Sequence, residues 1–137
     1  MSHFGEPRLG VGACIMRDGK LLLFRRLRAP DRGCWSIPGG KVDFLEPVEV
    51  ALRREVAEET GLTLGDLRLL CITDQIHTET PEHWVAPTYL AESFTGEPVL
   101  QEPEKHEGLD WYALDALPSP LSIAVKTTLP ALKKALG

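Results

Sequence analysis

Residues 39–62 read GGKVDFLEPVEVALRREVAEETGL, and the fold turns on this stretch. Two glycines and a short loop lead into a helical period from Glu46 to Thr60. Pro47 suits a first helical turn, and Gly61 stops the helix as a C-terminal cap. At about 100° per residue, Val48, Leu52, Glu55 and Glu59 fall on one narrow stripe. The stripe begins apolar, as a core face should, and ends in two carboxylates; Glu58 lies one step round. Three carboxylates at i, i+3 and i+4 repel one another by about a few tenths of a kcal/mol per exposed pair. They also sit near the helix C-terminus, where the macrodipole disfavours negative charge. A divalent cation would offset both effects, since Mg²⁺ takes hard oxygen ligands. A solvated acidic face eased by Arg53 and Arg54 is the other reading of the same residues. Gly39 and Gly40 leave room for backbone carbonyls to turn toward a ligand. Glu46 and Arg54 span two turns, so an ion pair between them would fix the loop against the helix. Two independent surface charges are the alternative.

Outward from the helix, the pattern alternates between strands and turns. Leu9–Met16 is apolar, Arg17-Asp18-Gly19-Lys20 is a strong turn, and Leu21–Phe24 is apolar again, which together predict a β-hairpin. Ala29–Gly33 reads as a loop. Trp35-Ser36-Ile37 is short and extended, with Pro38-Gly39-Gly40 as a turn that Trp35 anchors. Leu67–Asp74 and Trp84–Phe94 read as strands, Gly96–Glu107 as a polar loop, and Leu109–Tyr112 as a short strand. Leu121–Leu136 predicts a C-terminal helix that Pro130 should kink or divide. The sum is a mixed sheet with one central and one terminal helix, of α/β or α+β class. The expectation is one domain over residues 1–137.

Composition narrows the function classes. Hydrophobic residues make up 43% and charged residues 26%, an ordinary globular balance. The net charge of −5 argues against a polymeric nucleic acid as partner. Arg25, Arg26, Arg28 and Arg32 nevertheless precede the acidic helix closely, which suits a small phosphate-bearing ligand with a metal; two solvated patches are the alternative. No apolar run approaches the roughly 18 residues that span a membrane, and Met1–Gly10 lacks the apolar core of a signal peptide. Cys14, Cys34 and Cys71 have neither zinc-ligand spacing nor a disulfide pattern. Cys14 and Cys71 read as small core residues, and a cytoplasmic location is the simplest expectation.

The quoted stretch resembles the Nudix box. Gly40, five residues, Glu46, seven residues, then Arg54-Glu55-Val56-Ala57-Glu58-Glu59-Thr60-Gly61-Leu62 fits the nine specified positions across 23 residues. Phe24-Arg25-Arg26, Trp35-Ser36-Ile37-Pro38 and Leu109-Asp110-Trp111-Tyr112 also look like this family, so the resemblance covers most of the chain. Leu45 and Pro47 depart from the usual residues at unspecified positions, which implies an altered loop shape. The resemblance implies an α/β/α sandwich with the box as loop–helix–loop. It implies metal held by Glu55, Glu58, Glu59 and the Gly40 carbonyl, supported by Glu46 and Arg54. It further implies cleavage of a pyrophosphate bond in a nucleoside diphosphate-linked substrate, with Mg²⁺ or Mn²⁺, and often a homodimer.

Chemistry adds candidates to that frame. Pyrophosphate repels an attacking hydroxide, so cationic groups must neutralise it. Arg25 or Arg26 would clamp phosphate, Arg26 being better placed by resemblance to MutT-type enzymes. The general base is Glu55 or Glu58, or else Glu104 or Glu107 on the late loop. Glu102 and His106 lie close by, and His106 reads as a plain loop residue, as do His77 and His83. Trp84, Tyr89, Phe94 and Trp111 are candidates for a base pocket, with core packing as the alternative. For substrate, the proline that the ADP-ribose group carries would fall at Thr78, and Pro81 is three residues late. The tyrosine of the dinucleoside polyphosphate group and the Trp- and Pro-rich motif of the NADH group are absent. By elimination the expectation is a (d)NTP hydrolysed to NMP and pyrophosphate. ADP-ribose or a nucleotide sugar, and a silent nucleotide-binding module, are the alternatives.

Overall fold

The structure, a computed structural model, describes residues 5–137; the first four residues of the segment read for a leader lie outside it. Strands β1 (Arg8–Arg17) and β2 (Lys20–Arg26) form the expected hairpin, and Asp18 (φ 52°) and Gly19 (φ 75°) supply its two left-handed tip residues. Then come β3 (Trp35–Ser36), β4 (Gly39–Lys41), α1 (Val48–Thr60) and β5 (Thr63–Leu64). The chain continues through β6 (Arg68–His77), β7 (Glu82–Ala91), β8 (Phe94–Thr95), β9 (His106–Ala113) and α2 (Ile123–Leu136). The central sheet runs β3-β2-β1-β7-β6, with β4 also pairing β1 and β9 also pairing β2. It is mixed because β1 and β7 pair in parallel while the other pairs are antiparallel.

The alternation of β1 sorts the core into two layers. Val11, Ala13 and Ile15 face α1, where Ala51, Leu52 and Val56 are buried. Cys14 and Met16 face α2, with Val125 and Leu132. Each fully buried leucine, such as Leu52 or Leu132, contributes about 1.5–3 kcal/mol relative to exposure. The result is the expected helix–sheet–helix sandwich.

Several elements differ from the sequence reading. Pro38-Gly39-Gly40 is not simply a turn: Gly39–Lys41 is a strand laid antiparallel on β1, with Gly12 opposite Gly39 and Val11 opposite Gly40. The approach is so close that a Cβ on Gly39 would collide with the Val11 carbonyl. Trp35 packs on β9 instead, its ring against Gly108 and edge-on to Tyr112 at 5.3 Å. Helix α2 passes through Pro130 undivided, held by Val125 and Thr128 on one side of it and Leu132 on the other, all buried. Strand β7 ends at Ala91, and Phe94–Thr95 pairs separately with β5. The late loop ends two residues early, since His106 and Glu107 already belong to β9. Cys14 is buried as expected, but Cys71 is only half-buried.

Candidate active site

Arg54 organises the acidic loop and helix. Its Nε and Nη2 donate to the two oxygens of Glu46 at 2.8 and 2.9 Å, the ion pair the spacing suggested. Nη1 donates to Glu55 at 2.8 Å and Glu58 at 3.1 Å, and Nη2 also reaches the Lys41 carbonyl at 3.1 Å. One planar guanidinium therefore orients three carboxylates and fixes the loop to α1. The hydrogen bond from Arg54, aided by the Asp43 N–H, holds the Glu46 carboxyl down to about 2. The same bond raises the guanidinium further above its ordinary value.

The three box glutamates occupy different environments. Glu58 is exposed, Glu55 is half-buried, and Glu59 is buried with 6% of its surface accessible. Gly39 N–H donates to Glu59 Oε1 at 2.9 Å. Gly40 lies against Glu55 so tightly that any Cβ there would strike the Glu55 carboxylate. Burial raises Glu59 well above the usual carboxylate range; the Gly39 N–H opposes this, while Glu55 and Glu102 add to it. Burial raises Glu55 as well, against the opposing hydrogen bond from Arg54. Arg54 beside Glu55 and Arg26 near Glu59 offset this burial only in part, and crowded oxygen donors of this kind fit a hard divalent cation.

The late loop delivers a carboxylate that sequence reasoning did not choose. Gln101 donates from Nε2 to the Glu58 carbonyl at 3.2 Å, tying the loop to the open end of α1. Glu102 follows, and its carboxylate lies with those of Glu59 and the His106 ring in a group whose ligand atoms are all within 4.8 Å of one another. Glu104 and Glu107 are both exposed, and neither belongs to this group. Glu107 binds Arg25 at 2.6 Å. Three acids in a loop without periodicity offered no signal to separate them. His106 is not a loop residue: it opens β9, is 4% exposed, and stacks on Phe24 with ring centroids 3.8 Å apart. Burial, with the cationic Arg26 nearby, lowers its imidazole to about 4.

A cleft of about 200 Å³ opens beside these groups, lined among others by Arg26, Gly39, Gly40, Glu59, His77 and Trp84. Arg26 donates from Nε to the Pro30 carbonyl at 2.7 Å, and burial lowers its pKa against the pull of Asp31 and Glu59. Arg25 is not among the lining residues; Gly33 O and Glu107 occupy it. Trp84 is half-buried in the cleft and donates its indole N–H to Glu82 at 2.8 Å. Tyr89 is buried in the core, and Phe94 and Trp111 stack on each other against it. His77 stands 3.9 Å from Asp31, while His83 pairs with Asp74 at 2.8 Å.

Residues 6–132 match the NUDIX domain. A MutT NUDIX hydrolase from Burkholderia pseudomallei is 55% identical, with a TM-score of 0.86 over 93% of this chain and 97% of that one. An ADP-ribose pyrophosphatase of Methanocaldococcus jannaschii is 31% identical over 113 residues, 82% of this chain and 66% of the relative. An oxidized purine nucleoside triphosphate hydrolase of Danio rerio is 31% identical over 105 residues, 76% of this chain and 65% of the relative. Each match thus spans slightly less than two thirds of these last two relatives. The chain belongs to the Nudix family. Among the described residues, no helix is long and apolar enough to cross a membrane.

Proposed function

We propose that the protein hydrolyses a nucleoside triphosphate to the monophosphate and pyrophosphate, with Mg²⁺, or Mn²⁺ in its place, held by Glu55, Glu58, Glu59 and the Gly40 carbonyl. The observation that carries this reading is the buried Glu59 carboxylate opening on a cleft that also holds Arg26 and Trp84. When bound, the cation neutralises phosphoryl oxygens and lowers the pKa of an attacking water. The chain's own residues do the rest. Arg26 faces the phosphates, and Trp84 offers an aromatic wall for the base. Arg54 engages Glu55 Oε1, which leaves Oε2 to take the proton as water adds to phosphorus and the anhydride P–O bond breaks. Glu46 and Arg54 hold the loop in place around this event.

The alternative substrate, ADP-ribose, draws support from the name of the archaeal relative. A silent nucleotide-binding module is disfavoured by the presence of Glu55, Glu58 and Glu59 together. A homodimer belongs to the same proposal and is tested by sedimentation. The decisive experiment incubates the protein and Mg²⁺ with nucleoside triphosphates, ADP-ribose and dinucleotides, resolving the products. Pyrophosphate from a triphosphate supports the reading. AMP plus ribose phosphate from ADP-ribose replaces it with the alternative, and tight binding without turnover overturns both. Glu58→Gln should lower turnover by orders of magnitude with the fold intact.

A further inference from the structure

We propose that His106 is a positioning residue that holds the second oxygen of Glu59 in place. The proposal rests on the reading of Glu59 as a cation ligand. Glu59 Oε1 is fixed by Gly39 N–H at 2.9 Å, which leaves Oε2 without a hydrogen bond. The imidazole Nε2 of His106 faces Oε2 at 3.8 Å.

Three features hold that ring rigidly. It stacks on Phe24 at 3.8 Å between centroids and 20° between planes. Its backbone pairs with Arg26 on β2. Its backbone amide donates to the Glu102 carbonyl at 3.1 Å, so one short turn places both His106 and Glu102. Its other nitrogen, Nδ1, is buried without a partner. A phenylalanine or leucine would fill the same stack without stranding a buried nitrogen. A polar ring at this position is accounted for by what Nε2 faces. Outer groups that orient a ligand carboxylate tune the cation it binds, and at 3.8 Å this ring needs to close by about 1 Å to form such a bond.

His106→Phe keeps the stacked ring and removes both nitrogens; His106→Gln keeps a donor and removes the ring. Each is compared with the wild-type protein by isothermal titration with MnCl₂ without nucleotide, by thermal unfolding, and by the Mg²⁺ dependence of hydrolysis. His106→Phe should unfold near the wild-type temperature yet bind Mn²⁺ about tenfold more weakly. Its Mg²⁺ requirement should rise in parallel while the KM for nucleotide stays constant, and His106→Gln should recover part of the loss. An unchanged Mn²⁺ affinity in folded His106→Phe overturns the proposal. ¹⁵N spectra of the wild-type imidazole provide a reading that needs no variant. A proton on Nε2 that persists when MgCl₂ is added supports positioning; its replacement by the cation overturns it in favour of direct ligation. Glu59→Gln separates the two levels of inference. If it keeps wild-type Mn²⁺ affinity, the cation assignment itself fails and the role of His106 falls with it. If it loses Mn²⁺ while His106→Phe does not, the role of His106 alone fails.

Discussion

Gly39 donates its backbone N–H to Glu59 Oε1 across twenty positions of chain, joining a two-glycine strand to the last turn of the box helix. The bond exists because β4 lies on β1, and it places a carboxylate where desolvation has already removed its water. The expected behaviours of the protein follow from how that carboxylate and its neighbours are held.

Gly40→Ala should disable the site. The added Cβ has no room beside the Glu55 carboxylate, so Glu55 must move. Turnover should fall about 100-fold, the scale of a 1 Å displacement at a reacting centre. Stability should fall by about 1–3 kcal/mol, read by denaturant unfolding. A variant with wild-type turnover would contradict the placement of Glu55.

Arg54→Lys should loosen the loop and weaken Mg²⁺ binding about 10–100-fold, because one ammonium cannot replace a fork that serves three carboxylates. The pair also has a pH signature. Glu46 is held down to about 2, below the roughly 4.3 of an unfolded chain. Its stabilising contribution is therefore complete above the unfolded value and is lost as pH falls toward 2. Acid titrations of unfolding should show a shallower loss over this window in Glu46→Gln than in the wild type.

Glu59 has the opposite sign. Burial raises its pKa, so the folded, metal-free protein keeps a proton that the unfolded chain has released. That contribution is full below about 4.3 and disappears as pH rises through the folded value. Mg²⁺ competes for the same carboxylate, so its affinity should rise with pH. Glu59→Gln should raise the metal-free unfolding temperature at pH 8 while abolishing the stabilisation by MgCl₂. Melting curves with and without Mg²⁺ at pH 6 and pH 8 check both statements.

The late-loop acids should separate sharply. Glu102 lies with Glu59 and His106, whereas Glu104 is exposed and Glu107 is spent on Arg25. Glu102→Gln should weaken Mg²⁺ binding about tenfold, because its carboxylate stands beside Glu59. Glu104→Gln should remain close to wild type. Equal losses in both would break the assignment.

The legible part of the protein is the part with periodicity or fixed spacing. Box helix and hairpin follow from residue order, and Glu46 and Arg54 meet because two helical turns bring them together. Strand β4 looks like a turn in the sequence because glycine carries no strand preference; only contact with Gly12 and Val11 makes it a strand. Glu102 and His106 were indistinct because a loop carries no period, and their meaning comes from a tie to α1 through Gln101. Pro130 was expected to break α2, but a proline deletes only local bonds, and burial of Val125, Thr128 and Leu132 outweighs that loss.

Because β1 must be laid down before the glycine amide can reach the helix, the excised 24-residue stretch would be an inert peptide. The ligand pocket thus depends on strand pairing as well as on the helix. Loosening of β4 from β1 should therefore silence the protein even while its helices persist.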